Sequence, residues 1–156
     1  MLLKDKNAIV YGAAGSVGGT VAQALAAEGA RVILAGRNAA PLAAIAEKIE
    51  AEGGTADVAT VDALDEAAVE AHADAAGPID ISFNAISLPQ TGIQGTRADA
   101  YGITRAQFEA RMADRMLSKR LPTIANIADA ATFLASDHAA ALTGTVLNLS
   151  SGMVIN

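Results

Sequence analysis

The sequence predicts an α/β fold, a doubly wound parallel sheet of about five strands with helices on both faces. Three observations predict it. From Asn7 to Asn84, short apolar runs alternate with stretches whose apolar residues recur at helical spacing. The joints between them are only a few residues long. Apolar residues make up 52% of the chain and aromatics only 3%, so the core must be built from Ala, Val, Ile and Leu, which suits strands buried on both faces. At 156 residues there is material for one core, and residues 1–156 read as a single domain.

Each element has its own signal. Asn7–Tyr11 is an apolar run stopped by Gly12, a buried strand. Ser16–Glu28 follows as a helix, with Val17, Val21 and Leu25 on one face and Gly29 where a C-cap belongs. Arg31–Ala35 is the second strand. Pro41 opens a helix to about Glu52 with Leu42, Ile45 and Ile49 on one stripe, ended by Gly53-Gly54. Ala56–Val61 is the third strand, Asp65 caps a helix to about Ala75, and Ile79–Asn84 is the fourth strand. From Ala85 to Ile103 no period is visible, and a structureless stretch longer than about 12–15 residues is unusual in a compact domain. Thr104 begins a capping box, a further helix covers about Ile124–Ser136, and Thr145–Leu149 reads as a last strand, docked beside the fourth to give the order 3-2-1-4-5 or paired with another copy of the chain.

Charge and composition narrow the function classes. A net charge of −6 argues against nucleic acid or an anionic membrane as the main partner. The absence of cysteine excludes disulfides, thiolate metal sites and a cysteine nucleophile. No apolar run reaches the roughly 20 residues of a membrane span. The first strand begins within a few residues of Met1, so no signal peptide is expected, and the expected location is cytoplasmic. His72 and His138 lie apart in the sequence and read as solvated, and the acidic run Asp62, Asp65, Glu66, Glu70, Asp74 reads as a helix start with its exposed face. No metal site is expected.

The chemistry concentrates at Gly12-x-x-Gly15-Ser16-Val17-Gly18. Glycines there let the backbone turn tightly and approach phosphate oxygens, while the helix beginning at Ser16 aims free N–H groups at them. The alternative is a tight strand-to-helix turn without a ligand. The second strand ends in Gly36-Arg37 rather than in an acid. A carboxylate there would bond ribose hydroxyls and repel a 2′-phosphate, whereas a guanidinium offers a bidentate phosphate contact. The pair favours NADP(H) over NAD(H), with a solvated loop arginine as the alternative.

These residues resemble the short-chain dehydrogenase/reductase family. "YGAAGSVG" is similar to its Thr-Gly-x-x-x-Gly-x-Gly loop, with Tyr11 in the Thr place and Ser16 in the place of the middle glycine. "LAGRN" resembles the second-strand end of NADP-preferring members, and "TVDALD" the segment whose Asp, here Asp62 followed by Ala63, lies beside adenine. "IDISFNAIS" resembles the Asn-Asn-Ala-Gly strand, with Asn84 matching and Ala85, Ile86 and Ser87 departing. Residues from Lys119 to Gly152 resemble the C-terminal helix and final strand. The resemblance implies a Rossmann-like domain that binds a nicotinamide dinucleotide through Gly12, Gly15, Ser16, Val17, Gly18, Arg37, Asp62, Ala63, Asn84 and Ala85.

The family's catalytic Ser and Tyr-x-x-x-Lys lie in a central segment that this sequence lacks; the irregular stretch 85–103 marks the deletion point. Tyr101-Gly-Ile-Thr-Arg105 imitates Tyr-x-x-x-Lys at i, i+4 spacing and makes Tyr101 and Arg105 the candidate catalytic pair. Gly102 and the cap signal at Thr104 oppose a helix through both. Two function classes follow: an NADP(H)-dependent oxidoreductase acting on a small carbonyl or alcohol, or a non-catalytic nucleotide-binding or scaffold protein, naturally truncated or engineered. A sheet edge bared by the deletion makes a homo-oligomer the expected assembly.

Overall fold

The computed structural model describes residues 1–86 and 98–153. At its centre, β1 (Asn7–Tyr11) pairs in parallel with β2 (Arg31–Gly36) on one side and β4 (Ile81–Asn84) on the other, and β3 (Thr55–Thr60) pairs with β2. The described residues form a four-stranded sheet in the order β3-β2-β1-β4. Around it lie α1 (Ser16–Ala27), α2 (Ala39–Ala51), α3 (Glu66–Ala76), α4 (Arg105–Asp114) and α5 (Ile124–Ala135), followed by a short 3-10 turn at Asp137–Ala139. This is the Rossmann-like arrangement that the alternating pattern predicts, one strand short.

The missing strand is the expected fifth. Thr145–Leu149 adopts no strand pairing, and Val146 is 85% exposed. The segment has the apolar, β-branched make-up of a strand, but a strand exists only where a neighbour accepts its backbone hydrogen bonds. The expected order 3-2-1-4-5 is therefore corrected to 3-2-1-4 among the described residues.

Alternate residues of the central strands face opposite sides, as the period of two requires. Ala8 and Val10 of β1, with Val32 and Leu34 of β2, join Val21, Ala22 and Leu25 of α1 and Leu42, Ala46 and Ile49 of α2 in the larger core. Helix α5 closes it, with Ala128 buried and Ile127, Ala131 and Ala135 packed against the cluster. Ile9, Tyr11, Ile33 and Ala35 face the other way into a smaller cluster with Val61. Its cover is thinner: α3 buries none of its residues fully.

Glycine ends the first two helices as the sequence predicts. Gly29 has φ +94, with its N–H donating to Ala26 O and that of Ala30 to Leu25 O. Gly53 has φ +84, with Gly53 and Gly54 N–H donating to Glu50 O and Ile49 O. Both are Schellman closures, which need a left-handed residue just past the helix. Pro41 enters in the first turn of α2, where its absent N–H costs nothing. Asp65 caps α3 by accepting from Ala68 N–H. Thr104 and Thr123 form full capping boxes with Gln107 and Asn126. At the far end of β1, Lys6 Nζ donates to Asp137 Oδ1 at 2.7 Å and to Ala135 O at 3.3 Å, tying the end of α5 to the sheet.

Candidate cofactor site

The strand order places the site. The chain runs outward from β1 through β2 to β3, then returns to lay β4 on the opposite side of β1. The order thus reverses at β1, and the carboxyl ends of β1 and β4 lie side by side, where open α/β sheets form their crevice. Such a switch point is where open α/β sheets take ligands.

Gly12 stands at that point, directly past β1. It has φ +77, and its N–H donates to Ala35 O at 2.9 Å. A Cβ on Gly12 would lie 3.2 Å from the carbonyl carbon and oxygen of Ala85, so β1's exit and β4's exit touch through a glycine. Ala85 N–H in turn donates to Tyr11 O at 2.9 Å. Asn84, exposed at the end of β4, accepts from Ile86 N–H at 2.8 Å through Oδ1. Its bond thus runs forward along its own loop, not across strands.

The turn then closes on itself. Gly15 N–H donates to Gly12 O at 3.0 Å, and Gly19 N–H donates to Gly15 O at 2.8 Å as α1 begins. A Cβ on Gly18 would fall 2.4 Å from Gly12 O, so the helix can sit this close to the turn only with glycine there. Gly19 is hemmed in from the other side, since its Cβ would meet Ile45 Cδ1 at 3.1 Å and Ala13 O at 3.2 Å. Two consecutive glycines inside a helix, Gly18 and Gly19, are the sequence signal of this close packing. Val17 faces the main core, whereas Gly15 and Ser16 are exposed.

The start of α1 is electrostatically bare. No side chain caps it and its first turn holds no acid. The N–H groups of Ser16, Val17 and Gly18 lack the intrahelical acceptors that a first turn never has, and α1's own first turn supplies no acid to neutralise its positive end.

Two further strand ends flank the turn. Past Gly36, Arg37 is exposed, with no ion pair or hydrogen bond from its guanidinium among the described residues. Arg31 at the opposite end of β2, by contrast, pairs with Asp57 at 2.7 Å. Past β3, Val61 N–H donates to Gly36 O, Asp62 accepts from Leu64 N–H at 3.1 Å, and Ala63 packs into the smaller cluster. Gly12, Gly15, Ser16, Val17, Gly18, Arg37, Asp62, Ala63, Asn84 and Ala85 thus lie along one edge of the sheet. Ser87 lies outside the described residues.

The candidate catalytic pair is arranged differently. Tyr101 ends one helical turn, in which Tyr101 N–H donates to Ala98 O, and Gly102 at φ +60 breaks it. Thr104 then caps a new helix whose first residue is Arg105. The two side chains consequently do not share the helical face that i, i+4 spacing would give them. Tyr101 is 70% exposed and stacks on Phe108 with centroids 6.1 Å apart, while Arg105 Nε donates to Glu109 Oε1 at 2.7 Å.

His72 also departs from its solvated reading. It is half-buried, its ring edge-on to Tyr11 at 5.9 Å, with Nδ1 3.3 Å from Tyr11 Oη. An aromatic in the Thr place of the loop creates a partner for it, which is why composition alone did not reveal the contact. Among the described residues no group of three or more metal-ligating side chains occurs.

The model of the short chain dehydrogenase family matches residues 6–152. The chain belongs to that family. It is 34% identical over 172 aligned positions to gluconate 5-dehydrogenase of Gluconobacter oxydans, a match covering 97% of this chain and 65% of the relative. Against the crystal structure of a metagenomic short-chain oxidoreductase in complex with NADP, identity is 32%, the TM-score 0.50, and 53% of this chain and 39% of that one are covered. A hydroxysteroid dehydrogenase from Escherichia coli shares the fold, at TM-score 0.72 and 21% identity, over 96% of this chain and 97% of that one. The chain spans 34% and 65% of the lengths of the first two curated relatives it matches. Among the described residues no helix is long and apolar enough to cross a membrane.

Proposed function

We propose that this short-chain dehydrogenase binds NADP(H) across the carboxyl edge of its sheet and derives from carbonyl/alcohol oxidoreductases. The observation that carries the NADP(H) reading is Arg37, directly beyond Gly36 and without a partner among the described residues, where an NAD-type site would hold a carboxylate. The glycine cradle fits the rest of the group: the space that a Gly12 or Gly18 side chain would fill is kept clear, and the uncapped start of α1 suits a pyrophosphate. The relative solved with NADP, at 32% identity, supports the same choice. Asp62 and Ala63 would flank the adenine, and Asn84 and Ala85 would floor the crevice. When bound, the nicotinamide supplies the hydride that interconverts an alcohol and a carbonyl.

Titration of NADPH fluorescence with parent and Arg37→Gln protein tests this. The parent is expected to prefer NADPH over NADH, and Arg37→Gln to weaken NADPH by about tenfold or more while leaving NADH unchanged, as loss of a charge-assisted contact requires. Equal NADPH affinity of the two proteins would refute the assignment.

A second reading, a cofactor binder without turnover, is favoured by one observation: Tyr101 and Arg105 are engaged with Phe108 and Glu109. Comparing Tyr101→Phe with parent in NADPH-dependent reduction of a ketone panel separates the readings. Loss of turnover on substitution assigns Tyr101 as proton donor; turnover in neither protein assigns the binder. A homo-oligomer in the cytoplasm belongs to the same proposal, supported by exposed apolar side chains at Phe133, Leu134 and Val146.

A further inference from the structure

The family's cofactor chemistry leaves residues 101–120 unexplained. On a chain of net charge −6, this segment carries five of the eleven Lys and Arg against only two acids, Glu109 and Asp114. Both acids are already used. Glu109 pairs with Arg105 at 2.7 Å and Asp114 with Lys119 at 3.2 Å. Arg111 and Arg115 have no ion-pair or hydrogen-bond partner for their guanidinium groups among the described residues. Arg111 lies in the last turn of α4 and Arg115, four residues on, is its C-cap residue, still in helical conformation, so the two fall on one face.

That face lines a cleft of about 230 Å³ formed by Tyr101, Ile103, Phe108, Arg111, Met112 and Arg115. Phe108 is buried and stacks on Tyr101 with an interplanar angle of 22°. Pockets for drug-sized ligands run to about 300–1,000 Å³, so this one suits a smaller molecule. An apolar, aromatic-walled cleft with two unneutralised guanidinium groups matches one chemistry: a flat apolar body bearing a carboxylate. Guanidinium is the side chain best shaped to hold a carboxylate by two parallel hydrogen bonds.

We infer that the α4 cleft is a binding site for a small aromatic carboxylate, its ring against Phe108, Tyr101 and Met112 and its charge on Arg111 and Arg115. Binding requires both halves of the ligand, so neither phosphate alone nor an uncharged ring satisfies it. The cleft's lining holds no residue of the glycine turn, and the inference does not depend on the NADP(H) reading.

Calorimetry with the full chain tests this, using phenylacetate, its neutral match phenylacetamide, and inorganic phosphate. Phenylacetate is expected to bind at least tenfold more tightly than either control. Arg111→Gln/Arg115→Gln, at exposed positions, should abolish that margin while leaving the melting temperature unchanged. Arg111→Lys/Arg115→Lys should restore part of it. Equal binding of phenylacetate and phenylacetamide, binding of phosphate as tight as phenylacetate, unaltered affinity in the double Gln protein, or no heat with phenylacetate at millimolar concentration would each overturn the inference.

Discussion

Replacing Gly18 by alanine probes the closest approach in the molecule's glycine turn. The added methyl would lie 2.4 Å from Gly12 O and 2.9 Å from Ala13 Cα and Gly12 C, all backbone atoms that no rotamer change can move. Carbon and oxygen rest at about 3.3 Å or more, so α1 must retreat from the turn by nearly an ångström. Overpacking of this kind costs about 1–3 kcal/mol, and the upper end applies where backbone must yield. Alanine returns roughly 1 kcal/mol of helix propensity. The net loss is about 1–2 kcal/mol, or roughly 2–8 °C in melting temperature for a chain of this size. Gly15→Ala is the control: its Cβ would sit 3.3 Å from the same oxygen at an ordinary φ of −80, and its melting temperature should stay within about 2 °C of the parent. Circular dichroism melts read stability, and NADPH titration on folded protein reads the turn; Gly18→Ala should weaken NADPH as the α1 amides withdraw. A Gly18→Ala protein that melts at or above the parent temperature would refute the packing argument.

Two other perturbations follow from contacts at the helix ends. The Lys6 ammonium beside Asp137, through its hydrogen bond and then its charge, holds that carboxyl below its usual 3.8. A depressed folded pKa stabilises above the unfolded value and fades as pH falls through the folded one. The melting-temperature gap between parent and Asp137→Asn should therefore be fully present at neutral pH, shrink below about pH 3.8, and narrow with added salt because the carboxylate is exposed; a gap independent of pH would contradict this. Thr104→Ala removes one arm of a capping box and should cost about 0.5–2 kcal/mol in α4. Hydrogen exchange at Gln107 N–H, which donates to Thr104 Oγ1 at 3.2 Å, should accelerate, whereas amides of β1 should not change.

How much of this was legible in the sequence depends on whether a signal was local. Gly29, Gly53, Asp65 and Thr104 act within a turn of themselves, and each does in the fold what its type and position predict. β1 matches its apolar run residue for residue, and the glycine spacing marks the switch point that the strand order creates. Long-range requirements were not legible. Thr145–Leu149 carries the make-up of a strand, but pairing needs an acceptor edge elsewhere in the chain. Tyr101 and Arg105 carry the spacing of a helical pair, but one glycine at φ +60 separates them into different helical segments. The Tyr11–His72 contact joins residues far apart in the sequence that no pattern connects.

The uneven cover of the sheet has a consequence for how the molecule comes apart. Helices α1, α2 and α5 share a continuous core with one face, whereas α3 rests on the other without a fully buried side chain. Local opening follows the weaker boundary, so α3 lifts away first and the Ile9–Tyr11–Ile33 layer meets water while α1 remains seated on the glycine turn. The thinly covered face and the glycine turn with its helix thereby fall under different cover: α3 lies over the first, while α1 belongs to the larger core. The protein can sample partly open states on the α3 side without loosening the backbone amides at the start of α1.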